Sequence, residues 1–305
     1  MSWLFFAGKH VYKLKKPFHH DIIDYRSPSA RRRYCESEFR LNRRLAADVY
    51  LGVVPLTCDR AGRLALDGDG RPVDWLVKMQ RLDSALTLES RLQNGSFDAA
   101  DARGIIERLV PFFSEAARPH WTPAGYTRRL AKLVKVTAHE LSRPEFGLDR
   151  ARVDGIATDL RKRIRAHAGL LGARVREGRI VEGHGDLRPE HIYLTRPPTI
   201  IDCIEFDRAL RLRDPIDELS FLAMECERLG EPASDGWLFD AYVELGDDDP
   251  ARPLIEFHKA QNAFVRAKVA IWHLDDPDTG AAGPWVARAN EYLRIARCVL
   301  ARSGD

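Results

Sequence analysis

The chain has 305 residues, 45% of them hydrophobic and 30% charged, and its formal net charge is +3. These values are ordinary for a folded globular protein and argue against a disordered chain or a coiled coil. The mildly basic balance does not indicate nucleic-acid binding, and no apolar run approaches the ~20 residues that a membrane span needs. The five cysteines are widely spaced without a zinc-binding pattern, which fits reduced thiols. We therefore expect a cytoplasmic protein of two domains, or of one large domain with two lobes.

The first 83 residues carry short strand signals and one helix signal. The segment WLFFAGKHVYKLKKP predicts two strands around Ala7-Gly8-Lys9, and Pro17 ends the second because proline cannot continue a ladder. In SPSARRRYCESEFRLNRRLAADVY, a capping serine, a proline in the first turn and apolar residues at helical spacing predict a helix. The stretches VYLGVVPLT, GRLALDGDG and VDWLVKMQRLD predict three further strands.

After Asp83 the pattern becomes mostly helical. Apolar residues at helical spacing predict helices in AADARGIIERLVPFFSEAA, TRRLAKLVKVTAHELS, RVDGIATDLRKRIRAHAGLLGARV, LIEFHKAQNAFVRAKVAIWHL and WVARANEYLRIARCVLA. One β-hairpin, IYLTRPPTIIDCIEFD, lies between the third and the fourth around a Pro-Pro turn. We predict an α+β, bilobal fold: a small lobe at 1–83 with an antiparallel sheet plus one helix, and a larger helical lobe at 84–305 with the embedded hairpin.

Most of the chemically interesting side chains cluster around that hairpin. The segment VEGHGDLRPEHIYL, residues 181–194, places His184, Asp186 and His191 in one loop, and Asp202 follows on the return strand. Carboxylates at neighbouring ends of a hairpin could hold a hard divalent cation together, or one could take a proton while the other binds the metal.

The order and spacing of these residues resemble the protein-kinase-like fold, and most closely its aminoglycoside phosphotransferase branch. HGDLRPEHI resembles the catalytic loop written H-R-D-L-K-P-E-N in protein kinases. IID followed by CIEF stands where such kinases place a metal-binding aspartate, and VYKLKKP and CESEFRLNRRL resemble the strand and the helix of the phosphate-binding lysine and its glutamate partner. Together with YLGVVP and EFD, these segments resemble an uncharacterised bacterial group of such kinases over most of residues 3–270.

On the acceptor and metal side, the resemblance implies that Asp186 accepts or orients the proton of the acceptor hydroxyl and that Asp202 holds Mg²⁺. Arg188 stands where protein kinases have a lysine near the transferring phosphate, and a cation there would offset developing negative charge. His191 stands where the second metal ligand is usually asparagine, although imidazole is a poor ligand for magnesium. One ion could suffice, His191 could meet a phosphate oxygen, or Glu205 could supply the second carboxylate.

On the phosphate side, the resemblance implies that Lys13 pairs with the α- and β-phosphates and that Glu38 steadies it. Lys15, which points to the same side of the strand, is the alternative lysine, and Glu36 is the alternative glutamate.

The segment LVKMQRL, residues 76–82, would be the hinge whose backbone groups, around Lys78 and Met79, meet the nucleotide base. Neither GxGxxG nor GxxxxGK[ST] occurs in the sequence. The chain begins inside what should be the second strand of the fold, so we expect the strand and loop that would cover the phosphates to be missing.

We therefore expect a small-molecule kinase that transfers the γ-phosphate of ATP or GTP, with Mg²⁺, to a hydroxyl group of a small molecule. The alternative is a catalytically weak pseudokinase or nucleotide-binding sensory module, which His191 and the missing strand motivate. Nucleic-acid binding through the arginine-rich helix is disfavoured, because consecutive arginines on a helix are spread by about 100° each. We expect neither a nucleic-acid partner nor a membrane partner.

Overall fold

The computed structural model describes residues 2–20, 23–275 and 281–302. Packing divides the chain into two compact units, of which unit 1 comprises Met1–Glu115 and Gly183–Leu212 and unit 2 comprises Ala116–Glu182 and Arg213–Asp305. Unit 1 contains an antiparallel sheet and unit 2 is mainly helical, which confirms the predicted α+β class. The bounds of these units differ from those of the predicted lobes, and the functional division after residue 83 stays a prediction.

The sheet of unit 1 has five antiparallel strands in the order β1-β2-β7-β5-β6. Its members are β1 (Ser2–Ala7), β2 (His10–Lys15), β5 (Tyr50–Cys58), β6 (Leu64–Leu66) and β7 (Arg71–Gln80). The predicted hairpin between β1 and β2 is confirmed, and Gly8 adopts a φ of 57° in its turn, which glycine does at no steric cost. A separate pair of short strands is formed by β3 (His19–His20) and β4 (Ile23–Asp24).

Helix α1 (Pro28–Ala46) packs against β5 and β7 of this sheet. The side chain of Ser27 accepts a hydrogen bond from Ala30 N at 3.1 Å, and Pro28 occupies the first turn, as the sequence predicted. The buried residues of α1 include three polar side chains, those of Arg31, Glu38 and Asn42. Because buried polar groups need partners, the buried face of α1 has to meet polar groups on other elements.

Helices α2 (Leu88–Gln93) and α3 (Ala99–Glu115) complete the first part of unit 1. Unit 2 then begins with α4 (Pro123–Leu141), α5 (Arg150–Ala166), α6 (Ala168–Arg176) and the short β8 (Val181–Glu182). The sequence pattern predicted one helix across α5 and α6, and this was wrong. The first helix ends at Ala166 with His167 as its C-cap, and Gly169 at the start of the next lowers the local helix propensity.

The chain returns to unit 1 at Gly183 and forms the predicted hairpin. Strands β9 (Ile192–Tyr193) and β10 (Thr199–Ile200) pair antiparallel, followed by α7 (Arg208–Arg211) and β11 (Leu212–Arg213). A single 3-10 turn, Pro189–His191, precedes β9. This segment carries the catalytic-loop motif into the same unit as β2 and α1.

The rest of unit 2 consists of α8 (Pro215–Arg228), α9 (Ser234–Leu245), α10 (Arg252–Trp272) and α11 (Gly283–Arg302). Asp214 caps α8 by accepting a hydrogen bond from Ile216 N at 3.1 Å, which satisfies an amide of the first turn. Helices α2 and α9 were not predicted, because both are short and α9 has apolar residues all around. None of the helices in the described ranges has the length and apolar character to span a membrane.

Candidate active site

All the residues predicted for catalysis, metal binding and nucleotide binding lie in unit 1. They come from β2, α1, β7, the loop before β9 and the segment after β10. Lys13 and Asp202, for example, are 189 positions apart in the chain and share a hydrogen bond of 2.5 Å. The fold therefore brings together the parts that sequence motifs could indicate only one by one.

Glu38 on α1 binds both of the candidate lysines on β2. Lys13 Nζ lies 2.9 Å from Glu38 Oε1, and Lys15 Nζ lies 2.6 Å from Glu38 Oε2. This geometry follows from the strand, because residues two positions apart point to the same face. Glu36, the alternative glutamate, instead pairs with Arg32 on the exposed side of the helix at 2.8 Å.

Charges in this cluster keep each other ionised although the groups are buried. Burial lowers the pKa of Lys13, but the carboxylates of Asp202 and Glu38 outweigh this and raise the pKa well above its ordinary value. Burial raises the pKa of Glu38, but Lys13 and Lys15 outweigh it and hold that pKa below the ordinary value. Both lysines and the carboxylates of Glu38, Asp202 and Glu205 therefore form one connected ion-pair network.

Asp202 adopts an unusual backbone conformation, with a φ of 64°. This left-handed region is uncommon for residues other than glycine and occurs most often where the surrounding structure imposes it. Asp202 N donates to Tyr50 Oη at 3.2 Å, and the next amide, Cys203 N, donates to Asn42 Oδ1 at 2.8 Å. Asn42 in turn donates to the carbonyl of Glu38 at 2.9 Å. Side chains from α1 and β5 thus hold the conformation that aims this carboxylate.

His184 is a structural brace of the loop before β9. The carbonyl of Ile201 lies 3.0 Å from Nε2 of His184, so Nε2 donates, and Asp186 N donates to Nδ1 at 3.3 Å. Burial, with a contribution from His191, lowers the pKa of His184 to about 4. The ring is therefore neutral near pH 7 and ties the loop to the end of the hairpin.

His191 lies between the carboxylates of Asp186 and Asp202. Its Nδ1 is 2.9 Å from the carbonyl oxygen of Asp186 and 3.7 Å from the carboxylate Oδ2 of the same residue. Its Nε2 is 3.6 Å from Asp202 Oδ2. A role of His191 as second metal ligand stays a prediction, and the ring lies within 4 Å of both carboxylates.

The other predicted side chains of this region have partners of their own. Arg188 forms an ion pair with Glu190, and its guanidinium lies 4.0 Å from Asp186 Oδ2. Glu205 pairs with Lys15 and accepts a hydrogen bond from Tyr25 Oη at 2.7 Å. A role of Glu205 as metal ligand stays a prediction, and its carboxylate already neutralises a buried lysine.

Lys78 and Met79 lie near the end of β7, inside the sheet. Each faces β2 on one side and β5 on the other, so their backbone groups belong to the ladders. Met79 packs in a buried cluster with Val11 and Tyr50, and Ile201 packs against that cluster. β7 ends at Gln80, so the predicted hinge 76–82 is mostly strand, and any role in binding a base stays a prediction.

Sequence reasoning missed the supporting residues Tyr25, Asn42, Arg44 and Tyr50. Arg44 donates to the carbonyl of Gly183 at 2.9 Å and lies 3.2 Å from the sulfur of Cys203. In the sequence, the only indication for Asn42 and Arg44 is their place in the segment LNRRLA, one to two helical turns after Glu38. Several arginines occur on this helix, and the sequence alone does not show which of them contacts the site and which is exposed to solvent.

The donor set for a metal ion is small. Within the described ranges, no group of three or more His, Cys, Asp and Glu side chains is arranged to hold a metal ion. Asp202 and His191 together offer one oxygen and one nitrogen ligand. An ion held by such a pair would have to take its remaining ligands from nucleotide phosphates and water.

Comparison with protein families and curated proteins gives relatives whose function is not described. No family model matches the chain. Uncharacterised proteins of Mycobacterium tuberculosis and Mycobacterium bovis are 32% identical over 308 residues, which covers 98% of this chain. The chain spans 59% of the length of these relatives.

Solved structures of known kinases share the fold. Choline kinase from Cryptosporidium parvum matches with a TM-score of 0.54 and 8% identity, covering 99% of this chain and 90% of that one. The GDP complex of aminoglycoside 2'-phosphotransferase-IIIa has a TM-score of 0.53 at 15% identity, covering 97% and 89%. Plasmodium vivax ethanolamine kinase has a TM-score of 0.51 at 11% identity, covering 94% and 75%. The chain therefore has the protein-kinase-like fold of aminoglycoside phosphotransferases and small-molecule kinases, as its motifs predicted.

Proposed function

We propose that this chain is a small-molecule kinase that transfers the γ-phosphate of ATP or GTP to a hydroxyl group. The observation that carries the proposal is the cluster in unit 1 where Lys13 contacts both Glu38 and Asp202, beside the loop with Asp186 and His191. Its fold is that of proteins named as choline, ethanolamine and aminoglycoside kinases. Fold alone does not establish activity, so the proposal depends on the chemistry of this cluster.

In this proposal Lys13 binds the α- and β-phosphates of the nucleotide. Its ammonium group remains charged, because Asp202 and Glu38 raise its pKa. When Lys13 turns toward the phosphates, Glu38 keeps Lys15 as a partner and is not left as a buried, unpaired carboxylate. The base packs against the apolar cluster around Val11, and the chain that leaves β7 beyond residue 80 offers backbone groups to it.

Asp202 and His191 are the side chains that would hold a divalent ion at the phosphates. When bound, such an ion neutralises the negative charge that accumulates on the phosphoryl oxygens. The left-handed backbone of Asp202 directs its carboxylate toward Lys13 and His191, so the carboxylate is released to bind an ion when Lys13 turns toward the phosphates.

Asp186 accepts the proton of the acceptor hydroxyl. The acceptor oxygen forms a bond to the γ-phosphorus while the bond from that phosphorus to the β-γ bridging oxygen breaks, and the proton passes to the Asp186 carboxylate and then to water. Arg188, which lies 4.0 Å from that carboxylate, offsets negative charge nearby. His184 and His191 hold the backbone of the loop. In this proposal the rate enhancement comes from positioning the acceptor hydroxyl and the phosphate, and no covalent enzyme intermediate forms.

The Asp186→Asn variant tests this assignment. Phosphate transfer is measured from labelled ATP and from GTP to a panel of choline, ethanolamine and aminoglycosides, the acceptors of the named structural neighbours. Loss of a general base is expected to lower kcat by about 10²–10⁴-fold while nucleotide affinity stays unchanged. The exposed Glu36→Gln variant is the control, and full transfer activity in Asp186→Asn would overturn the assignment.

A nucleotide-binding module without turnover is the second candidate, and the observation that favours it is His191 in the asparagine position. Thermal denaturation with ATP and a divalent ion separates the two functions, because binding alone raises the unfolding temperature. Stabilisation without phosphate transfer to any acceptor in the panel, and without ATP hydrolysis, would favour the module.

A further inference from the structure

The tautomer of His191 follows from its hydrogen bond. Nδ1 lies 2.9 Å from the carbonyl oxygen of Asp186, and a carbonyl can only accept, so Nδ1 carries the proton in the neutral ring. Nε2 then carries the lone pair and lies 3.6 Å from Asp202 Oδ2. Metal-binding histidines commonly donate their other ring N–H to a backbone carbonyl in this way, which fixes the ring orientation.

The backbone around His191 also holds the ring in place. His191 N donates to the carbonyl of Arg188 at 3.0 Å, and its own carbonyl accepts from Ile201 N at 2.9 Å. Only 9% of the residue is exposed. The backbone bonds fix where the side chain begins, and burial together with the Nδ1 hydrogen bond to Asp186 holds the ring beside Asp202.

The spacing between the two donor atoms suits a shared ion. Two neighbouring ligands at about 2.1 Å from one ion lie about 3.0 Å apart in octahedral geometry and about 3.4 Å apart in tetrahedral geometry. The observed separation of 3.6 Å exceeds the octahedral value by about 0.6 Å and the tetrahedral value by about 0.2 Å. Asp202 Oδ1 contacts Lys13, so a small rotation of the carboxylate would bring Oδ2 closer to the ring.

We propose, on the basis of the proposed function, that His191 and Asp202 form a mixed nitrogen and oxygen site that prefers a transition-metal ion, Mn²⁺ or Co²⁺, to Mg²⁺. Magnesium strongly prefers oxygen ligands, whereas imidazole suits transition-metal ions. Glu205 does not restore an all-oxygen site, because it binds Lys15 and Tyr25. The departure at His191 thus selects the ion rather than removing a ligand.

Metal binding without turnover tests this inference. The full chain is mixed with a non-hydrolysable ATP analogue, and Mn²⁺ affinity is measured by electron paramagnetic resonance with Mg²⁺ as competitor. His191→Asn, which restores an amide oxygen, is compared with the wild type, and the exposed His120→Asn serves as a matched control. The nucleotide phosphates have their own preference between Mn²⁺ and Mg²⁺, and this preference is the same for every variant. The ratio of Mn²⁺ affinity to Mg²⁺ affinity is therefore compared between variants. We expect this ratio to fall about tenfold in His191→Asn and to stay unchanged in the control.

A direct readout of the nitrogen ligand makes the test independent of the variant's folding. Pulsed electron paramagnetic resonance of the wild-type Mn²⁺ complex is expected to show ¹⁴N coupling that changes when the protein is labelled with ¹⁵N-histidine. The inference would be overturned if the nucleotide binds, the ratio of Mn²⁺ to Mg²⁺ affinity is equal in the wild type and in His191→Asn, and no nitrogen coupling is seen. The proposed function would still stand after that result. Failure of the analogue to bind with any ion would overturn the proposed function as well.

Discussion

Glu38 and Glu36 lie two positions apart on α1. Substituting each of them in turn compares the energetic contribution of a buried charge network with that of a surface ion pair. Glu38 is fully buried and binds Lys13 at 2.9 Å and Lys15 at 2.6 Å. Glu36 binds Arg32, and both side chains are about half exposed, at 51% and 52%. Glu38→Gln and Glu36→Gln therefore remove the same charge from one helix in two different environments.

The expected loss of stability follows from this difference in burial. Removing one partner of a buried ion pair costs about 3–5 kcal/mol, because a charge stays buried without compensation. Here Lys13 keeps Asp202 and Lys15 keeps Glu205, so we expect Glu38→Gln to lower the unfolding free energy by about 3 kcal/mol, the low end of that range. For Glu36→Gln we expect less than about 0.5 kcal/mol, as for other exposed pairs spaced by one helical turn.

Urea unfolding measures the two free energies, and hydrogen exchange of peptides from α1 and β2 reports whether the loss is local to unit 1. Glu38→Gln is also expected to weaken nucleotide binding, because Lys13 loses the carboxylate that steadies it. Equal stability and equally fast exchange in the two variants would contradict the prediction, because the burial of Glu38 would then have no energetic consequence.

Two further predictions concern the segments that hold the site. The pKa of His184 is about 4 in the folded chain and about 6.5 in an unfolded one, so acid protonates the unfolded state first and stability is lost as pH falls. Between about pH 7.5 and about pH 5 we expect this group to remove about 2 kcal/mol of unfolding free energy, measured by urea unfolding. His184→Gln should remove this part of the pH dependence, and an unchanged pH profile would contradict it. Asn42→Ala leaves the buried amide of Cys203 without its acceptor and should cost about 1–3 kcal/mol, with faster hydrogen exchange at that amide by nuclear magnetic resonance; protected exchange there would show that the bond is dispensable.

Local patterns in the sequence were sufficient for most elements of unit 1. The proline and capping serine before α1, the glycine turn between β1 and β2, and the turns of the later strands act over a few residues, and each prediction was confirmed. The errors fell where local signals are weak. The helix break at His167 has no proline, and α9 also carries apolar residues outside its buried face, such as the exposed Val243, so its apolar pattern has no single stripe.

The choice among the candidate charged residues needed the tertiary structure. The period of two along a strand puts Lys13 and Lys15 on one face, so no sequence pattern could say which of them meets a glutamate on α1. In the structure Glu38 meets both, and only Lys13 also reaches the carboxylate of Asp202. The rotation of α1 about its axis, set by packing of its apolar face, buries Glu38 and leaves Glu36 in solvent.

By itself the sequence determined the kinds of chemical group available: the loop HGDLRPEHI, an aspartate after a hairpin, a lysine strand and a glutamate helix. Each of these motifs lies within a short run of consecutive residues, so it could be recognised without a structure. Only the tertiary structure decided how groups as far apart as Lys13 and Asp202 meet, and what holds Asp202 in its strained conformation. Those properties depend on distances between residues remote in the chain, and packing alone sets such distances.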